Sequence, residues 1–384
     1  MQTVKVAVLG PGTVGGGVCS MLEHAEGLAL GPVLVREGKA DAPYKVTDIR
    51  EILRDDTVYA VAETLGGIHP AYEYVSACLQ AGKHVVTANK ALVAEKGIEL
   101  AETARQHGAA FLFTAACGGG VPFLHNLALA RQSDTVLTVG GILNGTTNYM
   151  LDAMQKRGAD YNDALKDAQM LGYAEADPTA DVSGLDALRK IMLACAVAFD
   201  ALPTEGFDRE GITALTADDV KDLKSRGLVC RLLAKGGKGE SGIYAFVEPT
   251  LVSASSPEAS VPDNYNLARY EGSCAGDIVL IGQGAGRFPT ASAVVRDLSC
   301  VLQGQREMLP KNCQAVAADN TLCGHPYYFR LPEAAAASLP VDSMTVSCGI
   351  ARVITKPMTV RQAHETAAAL RLCKTDLFFA GIEE

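Results

Sequence analysis

The stretch VKVAVLGPGTVG, residues 4–15, decides the fold of the N-terminal part of this chain. Its first six residues form a short, mostly apolar run, which is typical of a buried parallel strand. Gly10, Gly12 and Gly15 follow in the pattern G-x-G-x-x-G, directly before a predicted helix. The first glycine permits a tight turn, the second lets the backbone approach a pyrophosphate, and the third lets the helix pack on the strand. This order predicts a Rossmann-type dinucleotide-binding domain, and a glycine-rich turn without a ligand is the alternative.

Further strands are predicted after this motif, at 58–65, at 84–90 and from 110 into a triple glycine, with a helix between the first two. Strands that alternate with helices favour a parallel α/β sheet, which binds its ligands at the carboxyl ends of the strands. Residues at the helix start and at those strand ends are therefore predicted to contact the cofactor: Thr13, Val14, Thr64, Leu65, Thr87, Asn89 and Lys90.

The choice between the two nicotinamide cofactors depends on the end of the second predicted strand, near Val35. NAD-specific folds place an acid there to bind the ribose hydroxyls. This chain has Arg36 instead, with Lys39 close behind, and an arginine suits the 2′-phosphate of NADP. Glu37 argues the other way, and a solvated loop charge is the alternative for Arg36. We predict that NADP(H) is preferred and that NAD(H) remains usable.

The composition argues against several classes of protein. A length of 384 residues predicts two or three domains, and 48% hydrophobic with 20% charged residues is typical of a globular chain. No run of about twenty apolar residues and no cleavable signal are found, so a cytoplasmic protein is expected. The net charge of −10 argues against nucleic acid or an anionic membrane as a partner. The eleven cysteines lack C-x-x-C spacing and predict reduced thiols, not a zinc site.

A second informative stretch is LGYAEADPTADVSGLDALRK, residues 171–190. Asp186 and Lys190 stand four residues apart, which usually marks a surface ion pair. The helical face that they share continues into Leu193 and Val197, so the pair is predicted to lie against a core. A lysine in such a place needs a partner or a function. A catalytic lysine and a structural salt-bridge cluster are the two interpretations.

Two polar segments accompany this pair. The loop at 172–181 is predicted to be non-helical and to fold Glu175 and Asp181 over the pair, after which Ser183 caps the helix. Upstream, NGTTNY at 144–149 offers hydroxyls and backbone N–H groups to a polar small molecule. A plain turn with a helix-capping threonine is an equal alternative there.

The last third of the chain completes the predicted organisation. GQGAGRFPTASAVVRDL, residues 282–298, is a second glycine-rich loop before a helix, which predicts that the chain returns to the cofactor domain. Gly284 and Gly286 are then expected to lie near the cofactor. The last sixty residues show strand, helix, two strands, helix and strand, which is the order of a small ferredoxin-like module.

These stretches resemble the homoserine dehydrogenase family. The resemblance rests on GILNGTTNYML (141–151), LGYAEADPTADVSGLDALRK (171–190), VVTANKALVA (85–94) and GQGAGRFPTASAVVRD (282–297). It implies an α/β fold in three parts. These are a Rossmann-type domain over 1–125 with a return segment at 282–322, a mixed α/β substrate-binding and dimerisation domain over 126–281, and a shortened ACT-like tail over 325–384.

The resemblance also implies roles for individual residues. The catalytic positions are Lys190, Lys90 and Asp186. The substrate-binding positions are Glu175, Asp181, Tyr173, Gly145 and Thr146. A monovalent cation, Na⁺ or K⁺, would be bound by the backbone carbonyls of Cys117, Gly119 and Val121. The chain departs from the family at Thr114, where a glutamate is usual, and in its tail, which lacks the usual ACT glycine.

The activity that the resemblance implies is NAD(P)H-dependent, reversible reduction of L-aspartate 4-semialdehyde to L-homoserine, a step toward threonine and methionine. The expected assembly is a homodimer or a dimer of dimers. One alternative is another Rossmann amino-acid dehydrogenase with a different aldehyde or oxo acid. A second is a cofactor-bound amino-acid sensor that has lost catalysis, and the joint presence of Lys90, Asp186 and Lys190 argues against it.

Overall fold

The computed structural model describes residues 3–38 and 43–383. The chain divides into two compact units. The first comprises Met1–Thr135, Ala196–Leu202 and Gly282–Ala315, and the second comprises Val136–Cys195, Pro203–Ile281 and Val316–Glu384. Among the described residues, no helix combines the length and the apolarity needed to cross a membrane.

The strands are numbered here in chain order. They are β1 (Val4–Leu9), β2 (Leu28–Leu34), β3 (Lys45–Val46), β4 (Val58–Glu63), β5 (His84–Thr87), β6 (Phe111–Leu112), β7 (Val136–Ile142), β8 (Ala201–Glu205), β9 (Asp208–Arg209), β10 (Leu228–Lys238), β11 (Ile243–Ser253), β12 (Tyr265–Gly272), β13 (Gly276–Gln283), β14 (Gln314–Ala317), β15 (Gly324–His325), β16 (Tyr327–Pro332), β17 (Val341–Ser347), β18 (Ile350–Thr355), β19 (Met358–Thr359) and β20 (Phe378–Ile382).

The helices follow the same numbering. They are α1 (Thr13–Leu22), α2 (Ile49–Arg54), α3 (Ala71–Gln80), α4 (Lys90–Gln106), α5 (Phe123–Ala130), α6 (Gly145–Arg157), α7 (Tyr161–Met170), α8 (Thr179–Val182), α9 (Leu185–Phe199), α10 (Ala217–Ser225), α11 (Arg287–Leu302) and α12 (Val360–Leu372). Short 3-10 helices occur at Thr114–Ala116, Glu258–Ser260 and Glu333–Ser338.

The first unit is built on a parallel sheet with the strand order β3-β2-β1-β4-β5-β6. Strand β1 lies at its centre, and the side chains of residues 6–9 are fully buried because both faces of the strand are covered. The strand order reverses between β1 and β4, and ligands of such sheets bind at the carboxyl ends of the strands at that point. The parallel, Rossmann-type sheet predicted from the sequence is confirmed.

The return segment packs on this unit through a glycine in α1. A Cβ atom at Gly17 would lie 2.8 Å from the Arg287 carbonyl oxygen and 2.9 Å from Ala291 Cβ, so glycine is required for α1 and α11 to approach this closely. The guanidinium of Arg287 also donates hydrogen bonds to Gly16 O at 3.3 Å and to Ser20 Oγ at 3.4 Å. Helix α11 therefore belongs to the same unit as the glycine motif.

The second unit is built on a mixed sheet with the order β13-β12-β7-β10-β11-β20-β16-β18-β17, and β9 pairs with β11. Its pairs are antiparallel except for β11 with β9 and with β20. Helices α6 and α10 pack on β10 and on each other. The core between them includes Ile142, Leu233 and Leu267. This arrangement fixes the carboxyl end of β7 and the start of α6, which follows it.

The tail has the predicted order of elements with one difference. The first of its two predicted helices is the 3-10 helix Glu333–Ser338, which Pro332 and Pro340 flank. The tail strands also join the sheet of the second unit through β20, although a separate domain was predicted for them. The likeness to an ACT domain stays a prediction.

A buried carboxylate on β11, Glu248, holds the tail in place. Its two oxygens accept hydrogen bonds from His325 Nε2 and His364 Nε2, each at 2.9 Å, and the Tyr327 hydroxyl donates to it at 3.3 Å. Burial opposes ionisation, but the hydrogen bonds and charges of the two histidines outweigh it and lower the pKa of Glu248 to about 2. Ionised Glu248 therefore stabilises the fold above its ordinary pKa of 4.5, and this contribution is lost as the pH falls toward about 2.

Candidate active site

The glycine motif of the first unit has the geometry of a phosphate-binding turn. Gly10 has a φ of +89°, and a Cβ atom there would lie 2.7 Å from Leu65 Cδ2. A Cβ atom at Gly15 would lie 2.0 Å from the Gly10 carbonyl oxygen, so α1 can follow the strand this closely only with glycine. Helix α1 begins at Thr13, and its N-cap, Gly12, contributes no side-chain hydrogen bond. Within the described residues, no heavy atom lies within 4 Å of a Cβ built at Gly12, which leaves space for an anion at the helix start.

The ends of β4 and β5 lie beside this turn. The Thr64 hydroxyl donates to Gly10 O at 2.8 Å and so ties the end of β4 to the first glycine. Asn89 caps α4, because its Oδ1 accepts from Leu92 N at 3.2 Å, and Lys90 is the first residue of that helix. The predicted cofactor residues that lie in the glycine turn, at the start of α1 or at these strand ends are Gly10, Gly12, Thr13, Val14, Gly15, Thr64, Leu65, Thr87, Asn89 and Lys90.

The residues predicted to select the cofactor follow β2. Val35 is buried, while Arg36 and Glu37 are exposed directly after it. The arginine therefore stands at the carboxyl end of a strand next to β1, where an adenosine ribose is bound in folds of this type. Lys39, the second predicted cation, lies outside the described residues.

The return segment contacts the triple-glycine loop of the first unit. A Cβ atom at Gly119 would lie 2.5 Å from the carbonyl carbon of Gly284, and Gly120 N donates to Gln283 O at 3.0 Å. Gly286, with a φ of +124°, is the N-cap of α11. The two glycine-rich loops thus pack backbone against backbone, which explains why position 119 is a glycine.

The loop predicted to bind a cation is held at both ends. The Thr114 hydroxyl and backbone N–H donate to Asp297 at 2.6 Å and 2.8 Å, and burial raises the pKa of Asp297 to about 6 despite these bonds. Cys117 is fully buried, and Val121 O accepts a hydrogen bond from Phe123 N at 2.8 Å. A carbonyl oxygen has two lone pairs, so this bond is compatible with a cation ligand at Val121.

In the second unit, Asp186 and Lys190 form the predicted pair on α9. Lys190 Nζ lies 2.8 Å from Asp186 Oδ2 and donates to Leu143 O at 2.5 Å. Both residues are 7% exposed, which is far below the exposure of an ordinary surface pair. Asn144 Nδ2 donates to Asp181 Oδ1 at 2.7 Å and to Asp186 Oδ2 at 2.9 Å. The structure therefore gathers two acids, an amide and a lysine around the start of α6.

Asp181 has the environment of a binding group. Burial raises its pKa, and the neighbouring charge of Asp186 acts in the same direction, while hydrogen bonds from Asn144 and Thr146 and the charge of Lys190 act against them. Two adjacent carboxylates that are partly withdrawn from water favour a cation between them or beside them. An ammonium group of a substrate would supply such a charge.

The other predicted substrate residues surround the start of α6. The Thr146 hydroxyl donates to Tyr173 O at 2.6 Å, and the Tyr173 ring lies edge-on to Tyr149 with 5.2 Å between ring centroids. A Cβ atom at Gly145 would lie 2.4 Å from Asn264 O, so glycine is required there for close packing. These contacts order the segment that carries Asp181.

Two predictions about this region need correction. Ser183 was expected to cap the catalytic helix, but it ends the short helix α8, and Gly184 with a φ of +79° separates it from α9. The loop at 172–181 was expected to be non-helical, but its end forms the first turn of α8 because Pro178 is favourable directly before a helix. Glu175 is exposed, and its backbone oxygen accepts a hydrogen bond from Gln169 Nε2.

Two residues next to the predicted site residues were not themselves predicted from the sequence. Asn144 lies in the NGTTNY motif, for which two interpretations were open. Its Oδ1 caps α6 by accepting a hydrogen bond from Thr147 N at 2.8 Å, and its Nδ2 bridges Asp181 and Asp186. The capping residue is thus the asparagine rather than a threonine. Glu63, the last residue of β4, is fully buried at the carboxyl edge of the parallel sheet, where the predicted cofactor residues lie. We call this edge the cofactor edge. A carboxylate at the end of an otherwise apolar strand was a signal that could have indicated it.

Comparison with known proteins gives consistent results over most of the chain. Residues 10–114 match the family model described as the NAD binding domain of homoserine dehydrogenase, and residues 122–299 match the model described as homoserine dehydrogenase. The homoserine dehydrogenase of Synechocystis sp. is 38% identical over 85% of this chain and 79% of its own length. That of Mycobacterium bovis is 41% identical over 77% of this chain and 72% of its own length.

A solved structure agrees with these matches. The crystal structure of a homoserine dehydrogenase from Thiobacillus denitrificans aligns with this chain over the full length of both proteins, with a TM-score of 0.89 and 30% sequence identity. The glycine turn of the first unit and the buried acid–lysine cluster of the second lie within the two regions that the family models match. The chain belongs to the homoserine dehydrogenase family.

Proposed function

We propose that this chain interconverts L-aspartate 4-semialdehyde and L-homoserine as an NAD(P)H-dependent homoserine dehydrogenase. The observation that carries the proposal is the buried Asp186–Lys190 pair with Asp181 beside it, in a chain whose first unit has a dinucleotide-binding turn. The test is the loss of NADPH absorbance when the purified protein is mixed with L-aspartate 4-semialdehyde. A protein that binds NADPH but does not oxidise it with this aldehyde would contradict the proposed substrate.

The first unit fits a nicotinamide dinucleotide. The glycine turn and the start of α1 would hold its phosphates, since Gly12 leaves open space there and the helix N-terminus is positive. The ends of β4 and β5, with Thr64 and Thr87, would line the nicotinamide side. When bound, the reduced cofactor supplies a hydride to C4 of the aldehyde. Lys90, at the start of α4, is proposed as the second catalytic lysine.

The second unit supplies the groups that a small amino acid needs. Lys190 would exchange a proton with the substrate oxygen, which is an aldehyde oxygen in one direction and an alcohol in the other. Asp186 and the Leu143 carbonyl orient the ammonium of Lys190 through the two bonds described above. Asp181 and Glu175 would bind the ammonium of the substrate. The buried charges of Asp186 and Lys190 at the start of α9 would then be explained by the reaction that they serve.

Glu175→Gln should raise KM for homoserine about tenfold while the affinity for NADPH stays the same. The expected change is about 1.4 kcal/mol, the scale of a hydrogen bond to a charged group, because an amide cannot form an ion pair with the substrate ammonium. Steady-state kinetics with varied homoserine and an NADPH titration measure the two quantities. Asp177→Asn, an exposed acid of the same loop, is the control and should change neither. An equal loss of NADPH affinity in Glu175→Gln would show that the residue organises the fold instead.

We propose a homodimer formed through the sheet of the second unit. Strand β13 exposes Val279 and Ile281 at alternate positions, so both side chains lie on one face of the sheet. An exposed apolar face on an edge strand favours association of two copies of the chain. The cation remains a proposal as well, with the carbonyls of Cys117, Gly119 and Val121 as its ligands.

Deletion of the residues after Pro326 should change oligomer size or solubility more than it changes any response to threonine. The deletion removes β20 from beside β11 and leaves Glu248 without its partners His364 and Tyr327, which exposes a core carboxylate and an unpaired strand. Size-exclusion chromatography with light scattering measures the effect. Threonine inhibition of the intact enzyme, abolished by a deletion that leaves the oligomer unchanged, would contradict the prediction.

A further inference from the structure

Glu63 is a fully buried carboxylate at the carboxyl end of β4, and its hydrogen bonds reach two separate segments of the cofactor edge. Oε1 accepts from Leu65 N at 2.7 Å, and Oε2 accepts from the Thr87 hydroxyl at 2.5 Å. Burial raises the pKa of Glu63, and these hydrogen bonds oppose the rise. An acid kept in so costly a position needs a reason beyond stability.

One arm of this network fixes the turn after β4. The bond to the backbone of Leu65 holds a turn whose Leu65 side chain lies directly over Gly10, at the distance given above. The Thr64 hydroxyl in the same turn bonds to the Gly10 carbonyl. Glu63 therefore sets the position of the segment against which the glycine turn rests.

The second arm runs to the start of α4. Thr87 donates its hydroxyl proton to Glu63 and accepts a hydrogen bond from Asn89 N at 2.9 Å through the same oxygen. Asn89 in turn caps α4 and donates to Gly67 O at 2.5 Å, which links this arm back to the turn after β4. Lys90 is the residue that follows the cap. The Thr87 hydroxyl proton needs an acceptor, which the carboxylate at position 63 supplies.

We propose that Glu63 is a positioning residue that holds the turn at residues 64–67 and the start of α4 at Lys90 in one arrangement, ready for a nicotinamide dinucleotide. This inference rests on the proposed function, since it takes the cofactor edge and Lys90 as parts of the active site. A single carboxylate is suited to the task because it only accepts hydrogen bonds, and donors from two segments, Leu65 N and the Thr87 hydroxyl, bond to its two oxygens.

The test compares Glu63→Gln with the wild type by NADPH titration, followed through the fluorescence of the reduced nicotinamide, and by turnover with L-aspartate 4-semialdehyde. Glutamine keeps the shape but has one acceptor oxygen where glutamate has two, so at least one arm loses its carboxylate acceptor. We expect Kd for NADPH to rise at least about tenfold and kcat at saturating NADPH to fall about tenfold, since displacements below 1 Å can cost up to about 100-fold. Glu258→Gln is the control, because Glu258 is an equally buried glutamate of the second unit with an arginine partner, Arg269.

A second variant separates the arms and serves if Glu63→Gln does not fold. Thr87→Val removes the hydroxyl that links Glu63 to Asn89 but leaves the bond to Leu65. We expect kcat to fall about fivefold with a smaller rise in Kd for NADPH, a split that general destabilisation does not produce.

The outcomes decide the proposal as follows. Kd and kcat of Glu63→Gln within about twofold of the wild type, an equal loss in Glu258→Gln, or an unchanged kcat in Thr87→Val would each overturn it. A wild type that binds NADPH but does not turn over the aldehyde would refute the proposed substrate, while the Kd ratio would still test Glu63. A wild type that does not bind NADPH would end both proposals.

Discussion

Lys190→Ala is expected to lower kcat by about 100-fold or more, with little change in the affinity for NADPH. Lys190 is only 7% exposed. Asp186 and the Leu143 carbonyl hold its ammonium in place. A general acid held in this way contributes about 10²- to 10⁴-fold to a proton transfer, and alanine removes the whole group. Water can replace it only as a poorly positioned proton donor. Steady-state turnover of L-aspartate 4-semialdehyde at saturating NADPH measures the loss.

Two controls belong with this variant. Lys156→Ala removes an exposed lysine of the same unit, which pairs with Asp152 at 2.9 Å, and should leave kcat unchanged. Thermal unfolding of Lys190→Ala is needed because Asp186 then stays buried without its lysine, at a cost of about 3–5 kcal/mol. A folded Lys190→Ala protein with kcat within about threefold of the wild type would mean that the pair is a structural salt bridge.

Arg36→Ala is expected to remove most of a ten- to thirty-fold preference for NADPH over NADH in kcat/KM. Arg36 is exposed at the end of β2, where a guanidinium can bind a 2′-phosphate through two parallel hydrogen bonds. Glu37 next to it can accept from the ribose hydroxyls of NADH, so the preference stays at about 1–2 kcal/mol. The rate with NADH should barely change. Initial rates with both cofactors, for wild type and variant, give the ratio.

Arg50→Ala provides the matched control for this experiment. Arg50 is an exposed arginine of the same unit that pairs with Asp48 at 2.5 Å, and its loss should not alter the ratio of the two cofactors. A wild type that prefers NADH would refute the role of Arg36. Equal weakening of both cofactors in Arg36→Ala would assign the residue to the adenine or to the loop.

The local parts of the fold were predictable because each depends on neighbours in the sequence. The strand–glycine–helix order at residues 4–15 follows from steric rules within one turn, and the Asp186–Lys190 pair follows from helical spacing. Burial of that pair was inferred from Leu193 and Val197 on the same face, and both are fully buried.

The remaining parts of the site depend on contacts between distant segments. Asn144 reaches Asp181 and Asp186 across 37 and 42 positions, and Glu63 reaches Thr87 across 24, so no local pattern predicts these contacts. Ser183 had the chemistry of a cap, but the left-handed backbone of Gly184 placed a break between it and α9. The capping propensity of Ser183 was thus overridden by the backbone conformation of the residue that follows it.

The position of β20 has a consequence for how the chain is made. This strand spans Phe378–Ile382, yet it lies in the interior of the large sheet, parallel to β11 and antiparallel to β16. Synthesis proceeds from the N-terminus, so the glycine motif and its parallel strands emerge from the ribosome long before the strand that completes the other sheet. Until residue 382 is released, β11 and β16 have edges with unpaired backbone groups, and these are open to pairing with other nascent chains. A polysome that translates this message therefore carries a row of open sheets, and the codons for β20 set the moment at which each one closes.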